Sequence, residues 1–233
     1  YFKLDDERYG EITIQQMLSH VSGMPDVEDY EWEKPQFDEG ALERYVQSLA
    51  TRKLLSKPGE KYAYSNMAFE CLGDVIAKVS GMSFDDYVKE HILNPAGMTG
   101  SSFLKPEHLP GNWAAPHVRL LANLAWEGYP YNRMHGPSST LHSSALEMCN
   151  WAITNLNRGH FRGRQILSSS SYDMLWKPQA ETGEGEHMGL SWFLTEYRGE
   201  KVIEHGGGDT GFRTHFAMLP DKRSAVVVLC NLI

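Results

Sequence analysis

Two short stretches bring together side chains that can move protons or hold a carbonyl. Tyr64-Ser65-Asn66 sets a phenol, a hydroxyl and a carboxamide in a row, between a turn at Pro58-Gly59 and an apolar-periodic run. His205-Gly206-Gly207-Gly208 sets an imidazole before three glycines, which let another molecule approach the main chain closely. A phenol and an imidazole exchange protons, an amide N–H donates to a carbonyl, and backbone N–H groups can stabilise an oxyanion. Each stretch also has a plain structural reading. A tyrosine and an asparagine at a helix start cap the helix and half-bury a ring, and a glycine-rich hairpin loop carries a solvated histidine. Taken singly, neither stretch decides between the two.

The elements that must position these groups are helical over the first two-thirds of the chain. Thr13 and Gln16 form a capping box before "IQQMLSHVSG", with Gly23 as the stop. Residues 39–51 make a second amphipathic run. The helix after Asn66 is expected to present Phe69, Leu72, Val75, Ile76 and Val79 on one face and to end at Gly81. Ser83 caps "FDDYVKEHIL", which Pro95 and Gly97 end, and Ser144 with Glu147 opens a helix through Leu156. Residues 99–142 are irregular and aromatic-rich, longer than an ordinary connection, and read as a functional loop region. From "GLSWFLTEY" onward the period changes to that of strands, and the turns "RGE" and "PDK" make them antiparallel neighbours. The fold class is α+β, a mainly helical lobe with cleft loops over 1–180 and sheet strands over 181–233.

Composition excludes several classes of function. The 233 residues are 41% hydrophobic and 22% charged, an ordinary globular balance. Net charge is −8, with 22 basic side chains dispersed among 30 acidic ones, so no stripe exists to neutralise a nucleic-acid backbone. No apolar run approaches the roughly 20 residues a membrane span needs. Cys71, Cys149 and Cys230 are odd in number, lack C-x-x-C spacing and sit in apolar patterns, which reads as three buried small hydrophobes.

Residues 58–98, "PGEKYAYSNMAFECLGDVIAKVSGMSFDDYVKEHILNPAGM", resemble the serine β-lactamase and D-alanyl-D-alanine peptidase superfamily, in its class C-like branch. "ITIQQMLSHVSGMPD" resembles the segment after that branch's nucleophile helix. "EHGGGDTGFRTHFAMLPDKRSAVVVLCNL" resembles its active-site edge strand, glycine turn and next strand. Residues 136–159 also fit, so the resemblance spans nearly the whole chain in the family's order.

The resemblance implies a β-lactamase/transpeptidase-like fold and acyl transfer through a serine ester, with no cofactor and no metal, on a small-molecule or peptide substrate. Tyr64 matches the family's general base or proton relay, a role that requires cationic neighbours to lower a phenol pKa near 10. Asn66 matches the donor to the substrate's acyl-side carbonyl. His205-Gly206-Gly207 matches the third motif, Lys-Thr-Gly in class A enzymes, and the N–H of Gly208 becomes one oxyanion donor. Ser65, Gly206 and Gly207 are the expected substrate-binding residues.

One departure matters most. The first motif, Ser-x-x-Lys on a helix, is absent from its expected place, which lies upstream of Tyr1. The one Ser-x-x-Lys present, Ser102 to Lys105, follows Tyr64 instead of preceding it, and Pro106 argues against a helix there. It reads as coincidence. The chain starts without methionine and stops inside a strand pattern, so the expectation is an incomplete catalytic domain with apolar faces and sheet edges left open. The compartment stays open.

Other polar residues receive structural readings. His20 is placed at a helix end, interacting with C-terminal carbonyls. His135, His142 and Glu186-His187 have no metal-ligand spacing. Trp113, Trp126 and Tyr131 could wall a cleft or pack on the core. The acidic run "DVEDYEWEKPQFDEG" reads as a solvated loop over the cleft mouth.

Overall fold

The computed structural model describes residues 2–105, 112–119, 123–125, 128–183 and 185–233. Trp126 and Pro106 lie outside these. The first capping box forms as expected: the Thr13 hydroxyl accepts from Gln16 N, and the Gln16 carboxamide takes the Thr13 N–H at 2.8 Å. The helix it opens, α1 (Ile14–Leu18), is far shorter than expected, because the chain turns left-handed at His20 (φ 55°) well before Gly23. Gly23, at φ 77°, serves a different purpose: a Cβ there would lie 2.4 Å from the Ser56 carbonyl oxygen. Without it, residues 20–25 could not lie against residues 55–63, to which they bond through Ala63 N–H to His20 O and Leu55 N–H to Gly23 O, each 2.8 Å. That pairing sets His20 directly beneath residues 64–65.

Helices α2 (Ala41–Ser48) and α3 (Asn66–Ser80) pack together, but α3 buries a different face from the expected one. Met67, Ala68, Glu70, Cys71, Gly73 and Asp74 are buried, whereas Val79 is 66% exposed and Phe69, Leu72, Val75 and Ile76 are only half-buried. The reason is a distant partner. After α4 (Phe84–Val88), capped by Ser83 and followed by a single π-helical turn at Lys89–Leu93, the chain returns as the short α5 (Gly136–Ser139). Pro137 of α5 seats so tightly on α3 that a Cβ at Gly73 would lie 2.1 Å from its Cγ. One turn earlier on α3, Glu70 meets His135 and Ser138. Polar pairing and backbone approach therefore outrank the apolar stripe. Ser144 caps α6 (Ala145–Leu156), yet Glu147 does not close a capping box. Its carboxylate takes the Gly100 N–H (2.8 Å) and the Ser101 hydroxyl (2.5 Å), tying the irregular segment to the helix.

Two short ribbons, β1 (His117–Arg119) with β2 (Asn123–Ala125) and β3 (His160–Phe161) with β4 (Arg164–Gln165), are separate from the main sheet, and α7 (Ser169–Leu175) follows the second. That sheet is an antiparallel meander in the order β10-β9-β8-β7-β6-β5. Its strands are β5 (Ala180–Gly183), β6 (Glu186–Met188), β7 (Phe193–Tyr197), β8 (Glu200–Asp209), β9 (Phe212–Leu219) and β10 (Ser224–Cys230). The turns at Arg198-Gly199 and after Pro220 fall where the sequence placed them. Ile203, Phe216 and Met218 of the sheet pack on Ala152 of α6, on Tyr172 of α7 and on Trp176 just after it. On β10, Val226 (56%), Val228 (44%) and Leu229 (40%) remain exposed along the sheet's outer strand. Of the cysteines only Cys71 is buried; Cys149 on α6 and Cys230 at the cleft end of β10 are exposed, against expectation. Among the described residues no helix is long and apolar enough to cross a membrane.

Candidate active site

The segment before α3 is fixed from below. Ser65 is fully buried: its hydroxyl accepts from Ala68 N as the helix cap and donates to Pro25 O at 2.7 Å. This corrects its assignment as a substrate-binding residue, since neither the hydroxyl nor the backbone N–H is free. The N–H donates to His20 Nδ1 at 3.1 Å. His20 is therefore no helix-end cation. Its ring lies flat under Tyr64, with centroids 4.1 Å apart, and burial pushes its pKa down to about 4, with His205 adding to the effect. A neutral imidazole is what the Ser65 N–H needs, because the accepting Nδ1 must be unprotonated.

Tyr64 stands on this floor with its ring half-buried. Burial, with Asp26 and neighbouring tyrosines adding to it, pushes the phenol up to about 12. The cationic neighbours a phenolate needs are not supplied by the described residues that act on it, so Tyr64 is a neutral phenol here. Asn66 begins α3. Its backbone N–H donates to Asp26 Oδ1 (2.6 Å) and its side-chain N–H to the Tyr30 hydroxyl (2.7 Å).

Opposite lies β8. Its pairing with β7 ends at Glu204, which faces Phe193, while β9 accompanies it to Asp209. Among the described residues, one edge of the strand is thus unpaired from His205 onward, and alternate residues turn N–H and C=O toward it. The glycines do not form a flexible loop; they are extended strand, and the turn comes at Thr210-Gly211. His205 lies 6.3 Å from Tyr64, ring to ring. Its Nδ1 lies 2.6 Å from the Gly206 carbonyl, which can only accept, so Nδ1 carries the proton. Burial lowers the pKa of this ring, leaving a neutral imidazole whose Nε2 is an acceptor. The expected cation or donor at this position is present only when the ring is protonated on both nitrogens.

Tyr64, Asn66, His205, Gly206, Gly207 and Gly208 line one cleft of about 1020 Å³. Trp113 lines it too, beside Tyr129, whereas Tyr131 is buried against Phe37. Ser102 is buried and bridged to His142, and Lys105 lies over the Tyr129 ring at 4.1 Å, its pKa lowered by burial.

The acidic run is mostly exposed at the cleft, as expected, but two of its aromatic rings are anchored. Tyr30 stacks on Trp32 at 4.9 Å, and the Trp32 indole N–H donates to Asp209 Oδ1 at 2.9 Å, joining the loop to the end of β8. Buried Asn132 ties it down through the Gln36 N–H (3.1 Å). Burial raises Asp209. Beneath Tyr30 lies the fully buried pair Glu70–His135, 3.0 Å apart, with Tyr30, Trp32 and Tyr45 edge-on around the imidazole. Sequence reasoning missed this wall; its one signal was the aromatic residues Tyr30, Trp32 and Phe37 inside an acidic stretch.

The family model for Beta-lactamase matches residues 1–232. The chain belongs to that family. It is 27% identical to an unguisins hydrolase of Aspergillus campestris over 94% of this chain and 42% of that protein. It is 26% identical to the D-alanyl-D-alanine-carboxypeptidase/endopeptidase AmpH of Escherichia coli K12, over 94% of this chain and 58% of the relative. The octameric penicillin-binding protein homologue of Pyrococcus abyssi superposes with a TM-score of 0.81 at 25% identity, covering 99% of this chain and 54% of its own. The chain thus spans about half the length of the curated relatives it matches. Its fold is β-lactamase/transpeptidase-like, an antiparallel sheet flanked by helices, and its relatives are hydrolases.

Proposed function

We propose that the chain carries the base, the acyl-side amide and the oxyanion strand of a serine hydrolase, and that the Ser-x-x-Lys nucleophile comes from residues outside these 233. The observation that carries this reading is the convergence of Tyr64, Asn66 and the unpaired edge of β8 on one cleft. In the reaction, a lysine ammonium lowers the Tyr64 pKa, and the phenolate takes the serine proton as the serine oxygen attacks the carbonyl carbon. The backbone N–H of Gly208 and that of the serine hold the resulting oxyanion. Collapse expels the leaving group, which takes the proton back from Tyr64, and water then hydrolyses the ester. Asn66 holds the substrate's acyl-side carbonyl, and the β8 edge with Gly206 and Gly207 binds an extended backbone.

Amides or esters of peptide character fit best, D-amino-acid peptides among them, as the relatives' names suggest. Gly206 has no hydroxyl for a carboxylate, which argues against an efficient β-lactamase. A second reading, a catalytically silent binding module, is favoured by one observation: the Tyr64 phenol is raised, and none of the described residues named as acting on it is a cation that lowers it.

The test is an intact mass of the natural polypeptide before and after a fluorophosphonate or a fluorescent penicillin, with the adduct mapped by peptide sequencing. One adduct on a serine outside residues 1–233 is expected, with none on the 233-residue chain alone. An adduct on Ser102, or no adduct on the natural polypeptide, overturns the proposal.

A further inference from the structure

Asn66 is held from behind. Its side-chain N–H donates to the Tyr30 hydroxyl at 2.7 Å. Deeper in the fold, Ser138 gives its one hydroxyl proton to Glu70 Oε1 at 2.6 Å, so its 2.9 Å contact with Ser139 uses the Ser139 proton.

We infer that Tyr30 is a positioning residue: its hydroxyl fixes the Asn66 amide with one N–H turned to Tyr30 and the second left for a substrate carbonyl. This rests on the acyl-side role proposed for Asn66. The Tyr30 ring has little freedom to do otherwise. It stacks on Trp32, which is bonded to Asp209, and it meets the edge of His135 at 4.8 Å. Loss of the phenolic oxygen frees the Asn66 amide to rotate, and the cost falls on substrates that use it.

The test compares two acylating probes on the natural polypeptide: a fluorescent penicillin, which carries an acyl-side amide carbonyl, and p-nitrophenyl acetate, which carries none. Tyr30→Phe keeps the ring and removes the hydroxyl. We expect it to slow acylation by the penicillin about tenfold, the usual scale for one hydrogen bond, while the acetate rate stays within about twofold. Asn66→Ala is expected to slow the penicillin at least as much, and the double variant no further. Equal slowing of both probes, no slowing of either, or a penalty that adds fully to that of Asn66→Ala overturns the inference.

A second measurement does not depend on acylation. In the ¹⁵N-labelled natural polypeptide, the Asn66 side-chain amide should exchange more slowly than a solvent-exposed amide, and in Tyr30→Phe at the solvent-exposed rate. If Asn66→Ala leaves penicillin acylation intact, the acyl-side role fails on its own account, and this exchange measurement still decides whether Tyr30 holds the amide. Unchanged Asn66 signals in Tyr30→Phe refute the positioning role.

Discussion

Acidification should weaken this protein through one buried ring. His20 accepts the Ser65 N–H on Nδ1, lies 4.1 Å under Tyr64 and has its pKa pushed from 6.5 to about 4. Unfolded, the same imidazole takes up a proton near pH 6.5; folded, it resists until about pH 4. Between those values the unfolded chain binds more protons, so stability rises with pH across this window and falls as pH is lowered through it. At about 1.4 kcal/mol per pH unit the full effect is about 3 kcal/mol, and about 2 kcal/mol is already lost at pH 5. His20→Asn isolates the contribution. An asparagine oxygen can replace Nδ1 as acceptor and tolerates the φ of 55° at this position, but it does not titrate. Urea unfolding followed by tryptophan fluorescence at pH 7 and pH 5 should show the parent losing about 2 kcal/mol more than the variant. Parallel pH dependences in the two proteins would refute the reasoning, because the nine other histidines titrate in both.

Three further outcomes follow from the packing. Glu70→Ala leaves His135 buried without its partner and should cost about 3 kcal/mol or more in the same unfolding assay. Gly73→Ala drives a methyl group into Pro137 and should cost about 1–3 kcal/mol, read as a lower midpoint in thermal unfolding. A thiol reagent under native conditions should modify Cys149 and Cys230 quickly and Cys71 only on unfolding, since Cys71 alone is buried.

Signals that live within one turn of chain were legible before any coordinates. Thr13, Ser83 and Ser144 each cap a helix, because a cap needs only its neighbours three residues on. The strand period and the turns after Tyr197 and Leu219 were equally local. What failed was decided at long range. The apolar stripe of α3 yielded its place to Glu70 and Gly73, whose partners arrive more than sixty residues later on α5. His20 was read as a helix end, yet the helix stops at Leu18 and a left-handed turn drops the ring beneath Tyr64. Ser65 shared a motif with two cleft residues, but strand-to-helix geometry turns it inward. Tyr64, Asn66 and His205 through Gly208 were picked out by family resemblance, and the structure sets them around one cleft. Tyr30 was hidden because the acidic segment around it is indeed mostly exposed; only the partners Asn66, Trp32 and Asn132 show that this ring is held.

The most direct test of the account is the rate of covalent labelling of the natural polypeptide by a fluorescent penicillin, measured for the parent and for Tyr64→Phe, with circular dichroism confirming that both are folded. The account predicts a fall of at least about 100-fold for the variant, the usual loss when a general base is removed. Labelling of the folded variant at the parental rate would contradict it and remove Tyr64 from the chemistry.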